Sequence, residues 1–494
     1  TGTGQGGEPP EPPSSSTSAS AASSSSSAPA AAQGGCELRD GVDYFGSDIK
    51  GVGADGAGEC CELCKANQMC GAFTYVVSDK SCWLKLPSAV LHASQKQGVV
   101  SGVVPERRPP PPRPAPRSLA DPSVLPEAIP ILVIAFKRGE YLRRTLRSIL
   151  SAIPAEQRER FPLIISQQGN DAGVTKAIED FGEDVKAHLH YQFVDSGKRQ
   201  KGYEAGSWLG YYKMTQHYEF AIRRAFEAGG GAYQHLIIME DDLEVAPDFY
   251  EFFAMASKAL DRDRTLYCAS AWNDNGMRPL VRDVRGLRRT EVFPGLGWML
   301  PRRVWEEIER DRSWPLAFWD EAMREPPIRK GRSCLIPEVN RAYTFGSQGN
   351  SQESGSWWRR FLEPIRLAET PVPWTRLLNA TEGGKPAYDA RLAGLIRAAE
   401  EHTLEQALDA VNGGDGKDED WLIQYRSESE YVSKGGRLGL LNEYKEGKPR
   451  AGYCGVLMFW APCGKRVLLA HADTVEWARS GGPAKECDTA ARLR

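Results

Sequence analysis

The run Pro130-Ile131-Leu132-Val133-Ile134-Ala135-Phe136 is apolar throughout. A short, unbroken apolar run predicts a strand buried on both faces. From Tyr141 to Leu150 the apolar positions fall at Leu142, Leu146, Ile149 and Leu150, the spacing of one helix face. Pro162–Ser166 reads as a second strand and His188–Phe193 as a third. Residues 207–226 read as a long amphipathic helix carrying Tyr211, Tyr212, His217 and Tyr218, and His235–Met239 as a fourth strand. Cys268–Trp272 continues the series. Strands alternating with helices predict an α/β fold, a mostly parallel sheet with helices on both faces. Ligands in such sheets bind at the carboxyl ends of the strands. Near the C-terminus, Ala451–Trp460 and Lys465–Leu469 read as a hairpin. Cys454 lies in its first strand and Cys463 just beyond it, and the two are expected to pair.

Composition divides the rest. The chain has 494 residues, 41% hydrophobic and 26% charged, with a net charge of −3. That length allows two to four domains. The charge excludes a polycation and gives no footprint for nucleic acid. No apolar run reaches the ~18 residues of a membrane span. Residues 1–35 are nearly all Gly, Ser, Pro, Ala and Thr, a disordered stalk by composition. Residues 105–126 are a Pro-rich linker. Between them, 36–104 holds six of the eleven cysteines. A segment of that size builds a marginal core, so these cysteines read as disulfide staples. Zinc is the lesser reading: Cys61 and Cys64 have the C-x2-C spacing, but no second such pair and no histidine lies between Cys36 and Cys82.

The candidate chemistry starts at Glu240-Asp241-Asp242, directly after the fourth strand. Three carboxylates at a strand tip repel one another unless a cation sits among them. Oxygen ligands of this kind suit Mg²⁺ or Mn²⁺ shared with substrate phosphates. Phe293-Pro294-Gly295-Leu296-Gly297-Trp298 is a glycine-rich turn between aromatics. Phe318-Trp319-Asp320 sets a carboxylate, a candidate general base, beside rings.

Two resemblances gather these pieces. GVDYFGSDIKGV, ECCELCKANQMCGAFTYV and SCWLK resemble the PAN/apple module. That likeness implies Cys60–Cys82 and Cys64–Cys70, leaves Cys36–Cys61, and implies a protein or glycan ligand. From residue 127 to about 475, IPILVIAFKR, MEDDLEVAPDFYEFF, LYCASAWNDNG, FPGLGWML, WPLAFWDEAMR and GRSCLIPEVNRAYTFG resemble the N-acetylglucosaminyltransferase I family. The resemblance implies a GT-A, Rossmann-like nucleotide-sugar transferase domain over 127–369 and a smaller, β-containing C-terminal domain over 370–494. It implies inverting transfer of GlcNAc from UDP-GlcNAc, in β1,2 linkage, to the α1,3-arm mannose of a high-mannose N-glycan. By the same likeness Asp242 is the Mn²⁺ ligand and Asp320 the catalytic base. Arg138, Gln168, His217, Glu240, Asp241 and Ser351 contact the donor, Leu296 and Trp319 line the sugar site, and Cys268 pairs with Cys334.

Three positions depart from the family. Gln168 stands where it has an aspartate that reads uracil, and Phe136 and Gly169 stand where it has a disulfide. Acceptor choice stays open between the N-glycan and O-linked mannose, and an inactive, glycan-binding protein is the alternative of a different class. The family and the sequon Asn379-Ala380-Thr381 imply a Golgi-luminal enzyme, expected to be a type II membrane protein anchored upstream of residue 1. Cys487 is left without an assignment.

Overall fold

The computed structural model describes residues 35–44, 48–67, 70–85, 89–90, 93–105, 128–346, 355–409 and 420–481. The chain divides into two compact units, one up to Pro111 and one from Pro112.

In the first unit, β1 (Glu37–Tyr44), β2 (Asp48–Gly53), α1 (Ala57–Ala66), β3 (Ala72–Val76), β4 (Ser81–Lys85) and β5 (Ala93–Val103) follow in order. The strands form one sheet in the order β1-β5-β3-β4-β2. Alternation along β3 and β4 sends Phe73, Tyr75, Cys82 and Leu84 to the face that meets α1. All six cysteines are buried there, paired as Cys36–Cys61, Cys60–Cys82 and Cys64–Cys70. Three crosslinks in so short a segment mainly limit the freedom of the unfolded chain.

The second unit is built on an eight-stranded sheet. Its elements are β6 (Ile131–Ala135), α2 (Gly139–Ala152), β7 (Leu163–Gln168), α3 (Ala172–Asp180), β8 (Val185–Tyr191), α4 (Leu209–Ala228), β9 (His235–Glu240), β10 (Leu243–Val245), α5 (Phe249–Arg262), β11 (Leu266–Ser270), β12 (Leu287–Thr290), β13 (Trp298–Pro301), α6 (Arg302–Asp311), α7 (Trp319–Arg324), β14 (Ser333–Pro337) and β15 (Ala342–Thr344). The strand order is β12-β14-β11-β13-β9-β6-β7-β8. Strands β9, β6, β7 and β8 are mutually parallel, the arrangement of a mononucleotide-binding half. Their apolar residues divide between the two faces. Ile131, Val133 and Ile165 pack with α2, α3 and α5; Leu132, Ile134 and Ile164 pack against α4.

The other half is less parallel than the alternation of elements predicts. β13 lies antiparallel between β9 and β11. It follows the glycine-rich turn directly, with no crossover helix to bring the chain round in parallel. β11 and β14 are parallel and joined by Cys268–Cys334.

Farther along, Trp421–Tyr425, Arg466–His471 and Val456–Trp460 form most of a four-stranded sheet, with Glu400–Glu401 at its edge. The last two make the predicted hairpin, although its first strand starts at Val456 rather than Ala451. The expected Cys454–Cys463 bridge is not formed. Cys454 is disulfide-bonded, but Cys463 is a free thiol. Cys454 precedes the five-residue strand Val456–Trp460 and Cys463 follows it. At ~3.3 Å per residue the strand alone holds them farther apart than the ~7 Å a disulfide can span. Cys487 lies outside the described residues. Asn379 of the sequon falls in the 3-10 helix Trp374–Thr381, not in a loop.

Candidate active site at the carboxyl ends of the sheet

The acidic tip is held from three sides. Arg138, which caps α2 at the end of β6, forms ion pairs with Asp241 and with Asp242, the latter at 2.9 Å. Thr145 of α2 donates its hydroxyl to the Asp241 carbonyl at 2.9 Å and accepts from the Leu243 amide at 3.2 Å. Tyr218 of α4 donates its hydroxyl to Glu240 Oε1 at 2.7 Å. The antiparallel pair β10–β15, formed by segments far apart in the chain, brings Gly346 against Asp242, where an added Cβ would collide with Oδ2. That strand pair is anchored by fully buried Asp248, which accepts from Arg341 Nη2 at 3.1 Å and Trp374 Nε1 at 2.7 Å.

The charges do not balance. Two buried carboxylates and a half-buried one face one guanidinium. Burial raises the Glu240 carboxyl, and the Asp242 charge raises it further. Burial also raises Asp241, with Arg138 pulling the other way. Arg138 itself is held more firmly protonated: burial opposes its charge, but Asp242 and Asp241 outweigh it. An all-oxygen site with excess negative charge fits a divalent cation. Among the described residues no three His, Cys, Asp or Glu side chains form a closed cage. Asp242 would therefore be one arm of an open site, with substrate oxygens completing it.

The second carboxylate region lies on α7. Phe318 caps this helix at φ 58°, in the left-handed region that a bulky residue rarely adopts. Backbone held in that region costs energy and tends to mark functional turns. The Asp320 side chain is 44% exposed, and Arg324 Nη1 lies 3.0 Å from its Oδ2. The same guanidinium donates from Nε to the Phe293 carbonyl at 3.1 Å, so it ties Asp320 to the glycine-rich turn. In that turn Gly295, Leu296 and Gly297 all have positive φ, and half-buried Leu296 stands at its tip.

Trp319, expected to line the sugar site, is packed as a core ring. It is 5% exposed. Its ring lies 4.2 Å from that of Tyr218 and 5.8 Å from that of Trp298, stacked in both cases. Packing commits this ring, leaving Leu296 and the Asp320 carboxylate as the open groups. The stack has a consequence: Tyr218, bonded to Glu240, also supports the turn that carries Asp320.

His217 is buried, with Nε2 2.8 Å from Ser166 Oγ and Tyr191 stacked on its ring. Burial lowers its pKa to about 3, so it is neutral at pH 7. Gln168 ends β7 and is also largely buried. Ser351 lies outside the described residues. Thr145, Arg324 and Gly346 were not singled out in the sequence, and Tyr218 was named there only among the aromatic residues of its helix. Only Arg324 left a readable signal there, the i,i+4 spacing from Asp320 on a helix.

Comparison with known proteins agrees with this geometry. Residues 114–480 match the GNT-I family and residues 42–85 the PAN domain. The alpha-1,3-mannosyl-glycoprotein 2-beta-N-acetylglucosaminyltransferase of Arabidopsis thaliana is 36% identical over 352 residues, 70% of this chain and 74% of that protein. Among solved structures, the mannosyltransferase PcManGT from Pyrobaculum calidifontis, in complex with GDP-Man and Mn²⁺, is 16% identical. It covers 53% of this chain and 70% of its own, with a TM-score of 0.30. The two N-terminal apple domains of Toxoplasma gondii microneme protein 4 are 25% identical, over 13% of this chain and 43% of theirs, with a TM-score of 0.13. Likenesses that loose carry no argument about activity. The family match spans most of the chain and the curated relative exceeds a third identity over two thirds of it, so the chain belongs to the GNT-I family, with a PAN domain ahead of the family region.

Proposed function

We propose that this protein is an inverting glycosyltransferase that moves GlcNAc from UDP-GlcNAc, in β1,2 linkage, to the α1,3-arm mannose of a high-mannose N-glycan. The observation that carries the reading is the link between its two acidic regions. Glu240 is bonded to Tyr218, and Tyr218 is stacked on the residue before Asp320.

Each residue then has a task. Arg138 meets the donor diphosphate and orients Asp241 and Asp242. Asp242 would hold a divalent cation, Mn²⁺ by preference, which when bound would withdraw charge from the departing diphosphate. Arg324 engages Oδ2 of Asp320 and leaves Oδ1 to accept the proton of the mannose 2-hydroxyl as that oxygen attacks C1 of GlcNAc. The C1–O bond to the diphosphate breaks on the opposite side, and the anomeric centre inverts. Base assistance of this kind is worth about 10²–10⁴ in rate. Leu296 and the turn around it border the sugar. Four disulfides among the described residues support an oxidising lumen, in our reading that of the Golgi.

The acceptor is tested by offering UDP-GlcNAc with either a five-mannose N-glycan or an O-mannosyl peptide and measuring transfer to each. The proposal expects the N-glycan to be used. Transfer to the peptide alone would reassign the enzyme to O-linked mannose, and failure to transfer to either, with glycan binding intact, would make it a lectin.

A further inference from the structure

Tyr203, Trp208, Tyr211 and Phe318 form a group of four rings at the start of α4. Phe318 is at its centre, with ring centroids 4.6 Å from Tyr203, 4.6 Å from Tyr211 and 5.7 Å from Trp208. None of the four belongs to the cores that flank the sheet, and each is half-buried. Leu316, two residues before Phe318, is 39% exposed. A single surface aromatic is ordinary, but a joined patch of this kind marks a binding surface.

The patch is held in place by its surroundings. Buried Tyr212 fixes the segment before α4: its hydroxyl accepts from the Gln200 amide at 2.6 Å and donates to the Tyr203 carbonyl at 3.2 Å. Trp208 ends a 3-10 turn, Gly206–Trp208, that leads straight into the helix. Phe318 has φ 58°, a costly conformation for a bulky residue, and it puts the ring among the other three. The polar ends of the rings stay unused. Neither the Trp208 indole N–H nor the hydroxyls of Tyr203 and Tyr211 bond any described residue. Rings with free polar tips suit a ligand that has both an apolar face and hydroxyls, as a pyranose does.

Location selects the ligand. Tyr211 and Tyr218 are seven residues apart on one face of α4, ~10 Å along its axis. Tyr218 stacks on Trp319 and bonds Glu240, whereas Tyr211 meets Phe318. The patch is therefore two turns away from the donor end and two residues from Asp320. Helix α4 connects the parallel strands β8 and β9, so its N-terminus, with the patch, faces the crevice at the carboxyl ends. We infer that Phe318 with Tyr203, Trp208 and Tyr211 forms a second sugar subsite, which holds a mannose of the acceptor beyond the one that reacts. This rests on the proposed use of a branched N-glycan. The polypeptide of a glycoprotein is separated from the reacting mannose by the core sugars, so the sugars next to that mannose meet the patch first. Contact there supplies binding energy remote from the reacting atoms.

Calorimetric titration of the full chain with the released five-mannose N-glycan, in Mn²⁺ buffer with UDP present, tests this beside titration with UDP alone and transfer kinetics. Trp208→Ala and Tyr203→Ala should each weaken the glycan about 10-fold and raise the acceptor KM by as much, with UDP affinity within about twofold of wild type. Trp208→Phe should recover most of the loss. Glycan affinity unchanged in both alanine variants overturns the subsite. So does an equal loss for glycan and UDP, which would make the patch a support of the fold. A loss seen with an intact glycoprotein but not with the released glycan would assign the patch to polypeptide and overturn it too. Trp208-dependent glycan binding without GlcNAc transfer would leave this inference standing and remove the proposed function. Transfer to the five-mannose glycan with the acceptor KM unaltered in Trp208→Ala would do the reverse. A wild type that neither binds this glycan nor transfers to it removes both.

Discussion

Two carboxylate regions of the second unit are built in opposite ways. At the tip of β9, Asp241 and Asp242 are 3% and 9% exposed and share one arginine with Glu240. On α7, Asp320 has its side chain 44% exposed, and the Arg324 guanidinium that pairs with its Oδ2 also pairs with Glu321. The difference follows from what each has to do. The tip keeps an excess of buried negative charge, which is unfavourable in the free protein and is relieved by a cation. As the proposed base, Asp320 would accept a proton from an incoming hydroxyl, and a half-exposed carboxylate with one fixed oxygen can do so without reorganising. The buried site is thus poised for a counter-charge and the exposed one for an acceptor.

Substitutions can break this contrast, and the largest effect is expected at the buried tip. Asp242→Ala should lower transfer at least about 100-fold and remove the stimulation by Mn²⁺, with the far-ultraviolet circular dichroism unchanged. A variant that keeps both turnover and metal response would show that the cation is held elsewhere. Arg324→Met should lower kcat about 10-fold with the donor KM little changed, since it frees the base without touching the donor site; Arg324→Lys should recover part of the loss. Glu240→Gln removes one buried charge and keeps an acceptor for Tyr218. In chelator-treated protein it should raise Tm by about 2 °C while transfer falls. If Tm drops instead, the tip is not electrostatically crowded.

The smallest effect concerns acid. His217 titrates near 3 in the folded protein, where burial disfavours its charge, against 6.5 for an ordinary histidine. Below pH 6.5 the unfolded chain takes up a proton that the folded chain refuses. This contribution to stability is therefore complete above about pH 6.5 and is lost as pH falls toward 3. His217→Gln should show a smaller drop in Tm between pH 7 and pH 4.5 than wild type. An equal drop would mean that His217 is not buried neutral.

Much of the parallel half was legible before the structure. Ile131–Ala135 is an apolar run and Leu163–Gln168 and His235–Glu240 are apolar runs ended by polar residues, and their order alone implies a ligand at the carboxyl ends. What did not show is whatever depends on contact between distant segments. β13 reads as a strand without showing that it inserts antiparallel between β9 and β11. Trp319 reads as lining the sugar site because its pattern does not reveal Tyr218 and Trp298 packed against it. Cys454 and Cys463 are near in sequence, yet a strand's length separates them. Gly346 has meaning only because Asp242, a hundred residues earlier, leaves no room there for a Cβ.

The central claim is that Asp320 is the base and the buried tip serves the donor. Single-turnover transfer by Asp320→Asn, with UDP-GlcNAc and a five-mannose N-glycan, tests it most directly. The account predicts a chemical step slowed at least about 100-fold, with UDP affinity and Tm close to wild type. A chemical step within about threefold of wild type would contradict it and move the base to another residue.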